Sequence, residues 1–549
     1  MPPPSALDVE AATDTQAATF IDRLSLNGVP ARRSKSPAVS TGLATYASSD
    51  MFKSPGHGKP KAKRWDHILT QESNSRELSS LKAASQLLKT PGLISLGAGL
   101  PSSTFFPFEH LQVKVPKPPQ FSEPETKDFG LLVQAGKHDA AEGKSLYDIH
   151  IAFNYGQATG SAQLLRFVTE HTEIVHHPPY QDWQCTLNVG SIAAFEMALR
   201  TFCTRGDYIM TEEYSFCTAL ETASPLGLKC LGIKMDEEGL LPFHMDDLLT
   251  NWSVSERGAQ KPFLLYTVPT GQNPTGATQS AQRRRELYAV AQKHDLYILE
   301  DEPYYFLQMQ PYTGPDAPDI PPPSSHDAFL DALVPSLLSM DIDGRVMRMD
   351  SFSKVIAPGM RTGWITASAQ IVERIVRHAE VSTQMPSGVS QLVLFKLLDE
   401  TWGHPGYLDW LIWMRLEYTR KRDNIAIACE RFLPREVASW VAPEAGMFHW
   451  IKVDWRKHPL IRRGEAVQLL ELEEKIWRAG IESGVLTAKG SWFRAEGGAG
   501  EEMFFRATFA AAGEKDVTQA VERFGKGLRV EFGLLDRNGE VNGQANGHQ

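Results

Sequence analysis

The chain lacks any uninterrupted apolar run near the ~20 residues that a membrane-spanning helix needs. Cysteine is scarce: five in 549 residues (Cys185, Cys203, Cys217, Cys230, Cys429), an odd number without a C-x-x-C pair. That argues against a disulfide framework or a zinc site and for reduced thiols packed as small apolar groups. Excess positive charge is also missing. Lys and Arg number 56 against 66 Asp and Glu, giving a net charge of −10. The basic cluster at residues 59–64 is short, so a nucleic-acid partner is disfavoured. The opening MPPPSALDVEAATDTQ has no apolar h-region and carries early acids, unlike a secretory or transit signal. These absences leave a soluble, cytoplasmic protein with no membrane or nucleic-acid partner and no metal as the expectation.

What is present is globular. Hydrophobic residues make up 42% and charged residues 22%, and the length suits two or three domains. Residues 1–70, rich in Pro, Ser, Ala and Lys, read as a mostly disordered extension, and 536–549 as a polar tail. Residues 71–130 read as an N-terminal arm and part of a smaller domain, 131–395 as a large domain, and 396–535 as a C-terminal smaller domain. Helical spacing marks "LSSLKAASQLLKT", "SAQLLRFVTEHTEIV" and "RRRELYAVAQKH". Apolar strands are predicted at "CTLNV", "YIMTEE", "PFLLYTVP", "LYILED" and "RVMRMDSF". Strands alternating with helices predict an α/β fold, a mostly parallel sheet between helices, with ligands at the carboxyl ends of the strands. Long helices with short strands after about residue 395 predict a second, α+β domain.

Six short stretches carry candidate chemistry. In "SFSKVIAPGMRTGW" (351–364), Lys354 follows two serines, with Arg361 seven positions on. Burial and a neighbouring cation lower a lysine's pKa and free its amine for Schiff-base formation. Ser351, Ser353 and Arg361 can donate to a phosphate. In "LYILEDEPYYFL" (296–307), Asp301 ends an apolar strand and needs a cationic partner if buried, and Tyr304 lies three residues on. "VPTGQNPTGAT" is turn chemistry that presents the Asn273 amide. "NVGSIAAFEMAL" places Ser191 and Ile192 at a helix start suited to an anion. Phe216 in "EEYSFCTAL" could stack on a flat ring. Arg506 in the apolar strand "MFFRATFA" needs an anion. Taken singly, each also suits a blander role: a solvated lysine, an acidic strand end, a tight turn, an N-cap, core packing, a structural ion pair.

Together, and with "SLGAGLPSSTFFPF" and "FNYGQATG", these motifs stand in the order found in fold type I aminotransferases that use pyridoxal 5′-phosphate. The chain resembles in particular the fungal aromatic amino acid and 2-aminoadipate aminotransferases and mammalian kynurenine aminotransferase II, over about residues 79–529. The resemblance implies that Lys354 is the Schiff-base lysine and proton shuttle. Asp301 pairs with the pyridine nitrogen, and Asn273 and Tyr304 bond the ring's phenolic oxygen. Phe216 stacks on the ring, while Ser191, Ile192, Ser351, Ser353 and Arg361 hold the phosphate. Tyr155 reaches the phosphate of a neighbouring subunit, which implies a homodimer with shared sites. Arg506 binds the substrate α-carboxylate, with backbone near Gly99 and, for dicarboxylates, Lys82. Ile192 stands where relatives often carry a polar residue, so its backbone amide alone can donate there. The implied activity is transfer of an amino group from an aromatic amino acid, or 2-aminoadipate or kynurenine, to 2-oxoglutarate by a ping-pong scheme. A decarboxylase or lyase on the same fold is the alternative. A transcription regulator of this fold would need an N-terminal DNA-binding module that the extension does not show.

Overall fold

A computed structural model describes residues 24–56, 58–80, 92, 96–97, 99–316, 321–498 and 500–535. Its centre is a seven-stranded sheet. The spatial order is Trp183–Asn188, Gly363–Ser368, Val346–Ser351, Tyr297–Asp301, Leu264–Thr267, Tyr208–Glu212 and Lys229–Ile233. Pairing is parallel except at Gly363–Ser368, which runs antiparallel to both neighbours. The strands Leu264–Thr267, Tyr297–Asp301 and Val346–Ser351 are buried along their whole length. That is how strands covered by helices on both faces behave, and it explains their unbroken apolar runs. Two strands escaped the sequence pattern. Lys229–Ile233 is the short edge strand, and Gly363–Ser368 follows so closely on the "SFSK" stretch that it reads as loop.

Two of the predicted helices fall where their periodicity places them, while most of "LSSLKAASQLLKT" lies outside the described residues. Ala162–His176 is capped by the Ser161 hydroxyl and Ala281–Lys293 by that of Ser280, each satisfying an amide that the first turn leaves open.

A second core lies around a four-stranded antiparallel sheet in the order Ala438–Trp440, Phe448–Val453, Met503–Thr508, Ala488–Lys489. Helices Leu469–Glu482 and Glu514–Glu531 pack Leu472, Ile476, Val521 and Phe524 onto Ile451 and Phe505. The helix Gly403–Phe432 serves both cores. Its Tyr407, Leu411 and Met414 belong to the first, and its Ile425 and Cys429 to the second.

Of the described residues in 71–130, Val115 and Phe121 lie in the first core and none joins the second. Nor is the stretch before residue 70 unstructured where it is described. Trp65 is 0% exposed, donates its indole N–H to the Gly344 carbonyl at 3.0 Å and meets Tyr297 edge-on. Helix Gly28–Lys35 is strapped to helix Ala162–His176. Arg32 bonds Glu173, and Arg33 reaches Glu170 and Asp399. Leu24, Val29, Val39, Phe52, Trp65 and Ile68 keep no helical or strand period because each drops singly into a groove of the large domain. Segments of this kind carry no sequence signal.

Candidate active site

Strand register decides what the acidic run Glu300–Asp301–Glu302 does. Arg348 pairs with Glu300 and Met349 with Asp301 across neighbouring strands. Alternation then puts Glu300, Glu302, Arg348 and Asp350 on one face and Asp301 alone on the other. The first face holds a dry ion network. Arg348 forks onto Asp350 at 2.8 and 2.9 Å and reaches Glu300 at 3.2 Å. Arg284 lies 3.4 Å from Glu302, which also accepts from Thr270. Burial opposes charge on Arg348, but the surrounding carboxylates outweigh it and hold its guanidinium above the ordinary arginine value. Burial pushes Glu302 up to about 8, against the pull of Arg284 and Arg348. None of the three acids is a solvated strand end.

On the opposite face, burial raises the Asp301 carboxyl to about 6, opposed by the Tyr266 hydroxyl that donates to Oδ2 at 2.9 Å. Its other oxygen, Oδ1, is buried without a hydrogen-bond partner. A protonated ring nitrogen is the kind of cation that would satisfy it. Tyr304 is buried nearby, its phenol raised by that burial and by Asp301.

A cup forms at the ends of three strands. Gly190 (φ 94°) turns the chain into helix Ser191–Phe202. First-turn amides of a helix have no partner within it and suit an anion. The Ser191 hydroxyl there is buried without a hydrogen bond of ordinary geometry, yet near enough to Asp301 to draw its carboxyl down. Across the cup, Arg361 donates to Ser353 Oγ at 3.3 Å and to the Val189 carbonyl at 3.0 Å, and Ser351 donates to Ser353 at 2.9 Å. A Cβ on Gly190 would lie 2.4 Å from Arg361 Nη2, so only glycine lets the guanidinium close over the helix start. Ile192 follows Ser191 in that first turn. Lys354 has no hydrogen-bond or ion-pair partner among the described residues. Burial first, and then Arg361, lower its ammonium below the ordinary lysine value.

Arg506 joins this site from the second core. Its Nη1 donates to Asn273 Oδ1 at 2.7 Å, which fixes the amide so that its NH₂ faces away from the guanidinium. Arg506 is half-buried, and burial lowers its guanidinium below the usual value. Phe216 stands half-buried at the start of helix Cys217–Ala223. Tyr155 and Gly99 are exposed, and no hydrogen bond joins either to the cluster among the described residues. Lys82 lies outside the described residues. No group of three or more metal-ligating side chains occurs among the described residues.

The sequence reading missed Tyr266, which holds Asp301, and Phe448 and Phe493, whose rings face the Arg506 guanidinium. Tyr266 pairs with Leu299, one pleat from Asp301 on the same face. Only the register, not the string "LLYTVP", reveals that.

The family model for aminotransferases of class I and II matches residues 125–524. The chain belongs to this family. An aromatic amino acid aminotransferase of Schizosaccharomyces pombe is 42% identical over 469 residues, covering 85% of this chain and 98% of its own. An L-tyrosine:2-oxoglutarate aminotransferase of Serpula lacrymans is 34% identical over 453 residues, covering 78% and 84%. The crystal structure of aminotransferase Aro8 from Candida albicans superposes with a TM-score of 0.82 at 42% identity, covering 87% of this chain and all of that one. In this aminotransferase the cup, the unpartnered carboxylate oxygen and the free lysine fit a phosphorylated, nitrogen-heterocyclic aldehyde.

Proposed function

We propose that the protein is a pyridoxal 5′-phosphate-dependent transaminase that takes the amino group of an aromatic amino acid and passes it to 2-oxoglutarate. The observation that carries this reading is the contact between Arg506 and Asn273. A half-buried cation with no acid partner among the described residues is aimed at the amide expected beside the cofactor ring, where an α-carboxylate would complete it.

Ser191, the amides of Ser191 and Ile192, Ser351, Ser353 and Arg361 would hold the phosphate. Asp301 would face the ring nitrogen, Asn273 and Tyr304 the phenolic oxygen, and Phe216 the ring plane. When bound, the cofactor supplies a carbonyl for covalent capture of the amine and a conjugated ring that takes up charge from Cα. Lys354 Nζ, its ammonium disfavoured by burial and by Arg361, would be the base that takes the Cα proton. Arg506 grips the carboxylate and so fixes the Cα–H bond relative to the ring. The aromatic side chain would lie along Phe448, Phe493 and Trp450 at the seam between the cores. The exposed Tyr155 suits a contact to the phosphate of a second copy, giving a homodimer. The five unpaired cysteines and the lack, among the described residues, of a helix able to cross a membrane accord with a cytoplasmic enzyme.

The test is a single-turnover reaction of holoenzyme with tyrosine and no oxo acid. One equivalent of aryl 2-oxo acid per subunit, then arrest until 2-oxoglutarate is added, is expected. Continued turnover or released CO₂ would instead identify a lyase or decarboxylase. Borohydride should fix the cofactor to the peptide that contains Lys354.

A further inference from the structure

We infer that Phe493 is a positioning residue for Arg506: with Phe448 it clasps the guanidinium between two aromatic faces, in place of an acid, and keeps it open to a substrate carboxylate. The inference rests on the reading of Arg506 as carboxylate anchor.

The guanidinium carbon lies 4.4 Å from the Phe448 ring centroid and 4.7 Å from that of Phe493. Its hydrogen bond is to a neutral amide, Asn273. Arg348, Arg284 and Arg33, also withdrawn from water, each have a carboxylate at hydrogen-bond or ion-pair distance, whereas buried Arg415, like Arg506, lies over an aromatic ring, that of Phe329. An acid beside Arg506 would compete with the substrate's carboxylate for the same N–H fork. An aromatic face stabilises the cation through its quadrupole and offers no competing anion.

Phe493 is placed for this by both cores. Ala488, on the short strand before it, pairs with Arg506. The Phe493 carbonyl accepts from Ser215 N–H at 2.7 Å, and Ala495 N–H donates to the Glu213 carbonyl at 3.0 Å. Ser215 immediately precedes Phe216. The ring that covers the carboxylate anchor is therefore tied by backbone bonds to the segment that presents the cofactor-stacking ring. Phe493 also packs at near right angles to Trp450, which lies opposite Arg506 in the sheet register.

The test measures binding of 3-phenylpropanoate, a carboxylate without an amine, to holoenzyme by calorimetry, alongside steady-state kinetics with tyrosine. Phe493→Met and Phe493→Leu should each weaken binding and raise KM about tenfold. The cofactor's visible absorbance should hold. Phenylalanines carrying one to five ring fluorines, incorporated at 493, keep the ring's shape while draining its face of charge, so affinity should fall stepwise. Arg506→Ala should abolish binding. A flat fluorination series with Arg506→Ala still deleterious overturns the clasp alone. Unchanged affinity in Arg506→Ala overturns the carboxylate anchor and the clasp with it.

Discussion

A side chain at position 190 and the Arg361 guanidinium compete for the same space: a Cβ there would stand 2.4 Å from Nη2. The backbone at Gly190 is also left-handed, with φ 94°, which strains any L side chain. Gly190→Ala should therefore push Arg361 off the helix start and weaken cofactor binding at least about tenfold, a cost near 1.4 kcal/mol. Equilibrium titration of the cofactor-free protein checks this. Fold and thermal midpoint of the loaded enzyme should change less than affinity does.

Asp301 predicts a pH dependence for the cofactor-free protein. Burial raises its carboxyl from 3.8 to about 6, so the native chain holds a proton between those values that the unfolded chain has released. Native stability then falls as pH rises from about 4 to about 6, by up to about 3 kcal/mol, and stays lower above that window. Asp301→Asn should flatten this step and be more stable than the parent at pH 7 without cofactor. In loaded protein the step should vanish, because a cationic ring nitrogen stabilises the ionised form. Urea unfolding at a series of pH values reads all three.

The ion network beneath the sheet should respond unequally to its members. Burial raises Glu302 against the pull of Arg284 and Arg348, and a glutamine keeps an acceptor for Thr270, so Glu302→Gln should change stability by less than about 1.5 kcal/mol. Arg348→Met strands Glu300 and Asp350 in a dry interior and should cost about 3–5 kcal/mol. Thermal unfolding of the two variants distinguishes these outcomes.

The N-terminal strap is a structural part, not a removable tail. Arg33 is partly exposed, so Arg33→Ala should cost about 1–2 kcal/mol, less than a fully buried pair. Removal of residues 1–70 should cost more, since it also uncovers the seats of Phe52 and Trp65. Limited proteolysis and thermal midpoints would show this, and a truncated chain as stable as the parent would refute the strap.

The large sheet was legible because its strands are buried on both faces and read as continuous apolar runs such as "LYILED". The catalytic candidates were legible because each sits at a strand end or a turn with restricted residue types: Lys354 after two serines, Asn273 in an Asn-Pro turn, Ser191 after glycine. The roles of Glu300 and Glu302 were not, because the face a strand residue occupies depends on its neighbour's register. Phe448 and Tyr266 stayed hidden for the same reason, and Phe493 because it ends a short 3-10 turn seated by a backbone bond from Ser215. The N-terminal strap was misread because its apolar residues are spaced by the grooves they fill rather than by any period of their own.

Helix Gly403–Phe432, 30 residues long and about 45 Å at 1.5 Å per residue, runs as one rod through both halves of the molecule. The two halves therefore share a spine: neither can be lifted off the other without stripping residues from a helix packed in both, and the Asn273 amide and the Arg506 guanidinium, one from each half, are held face to face across the same seam.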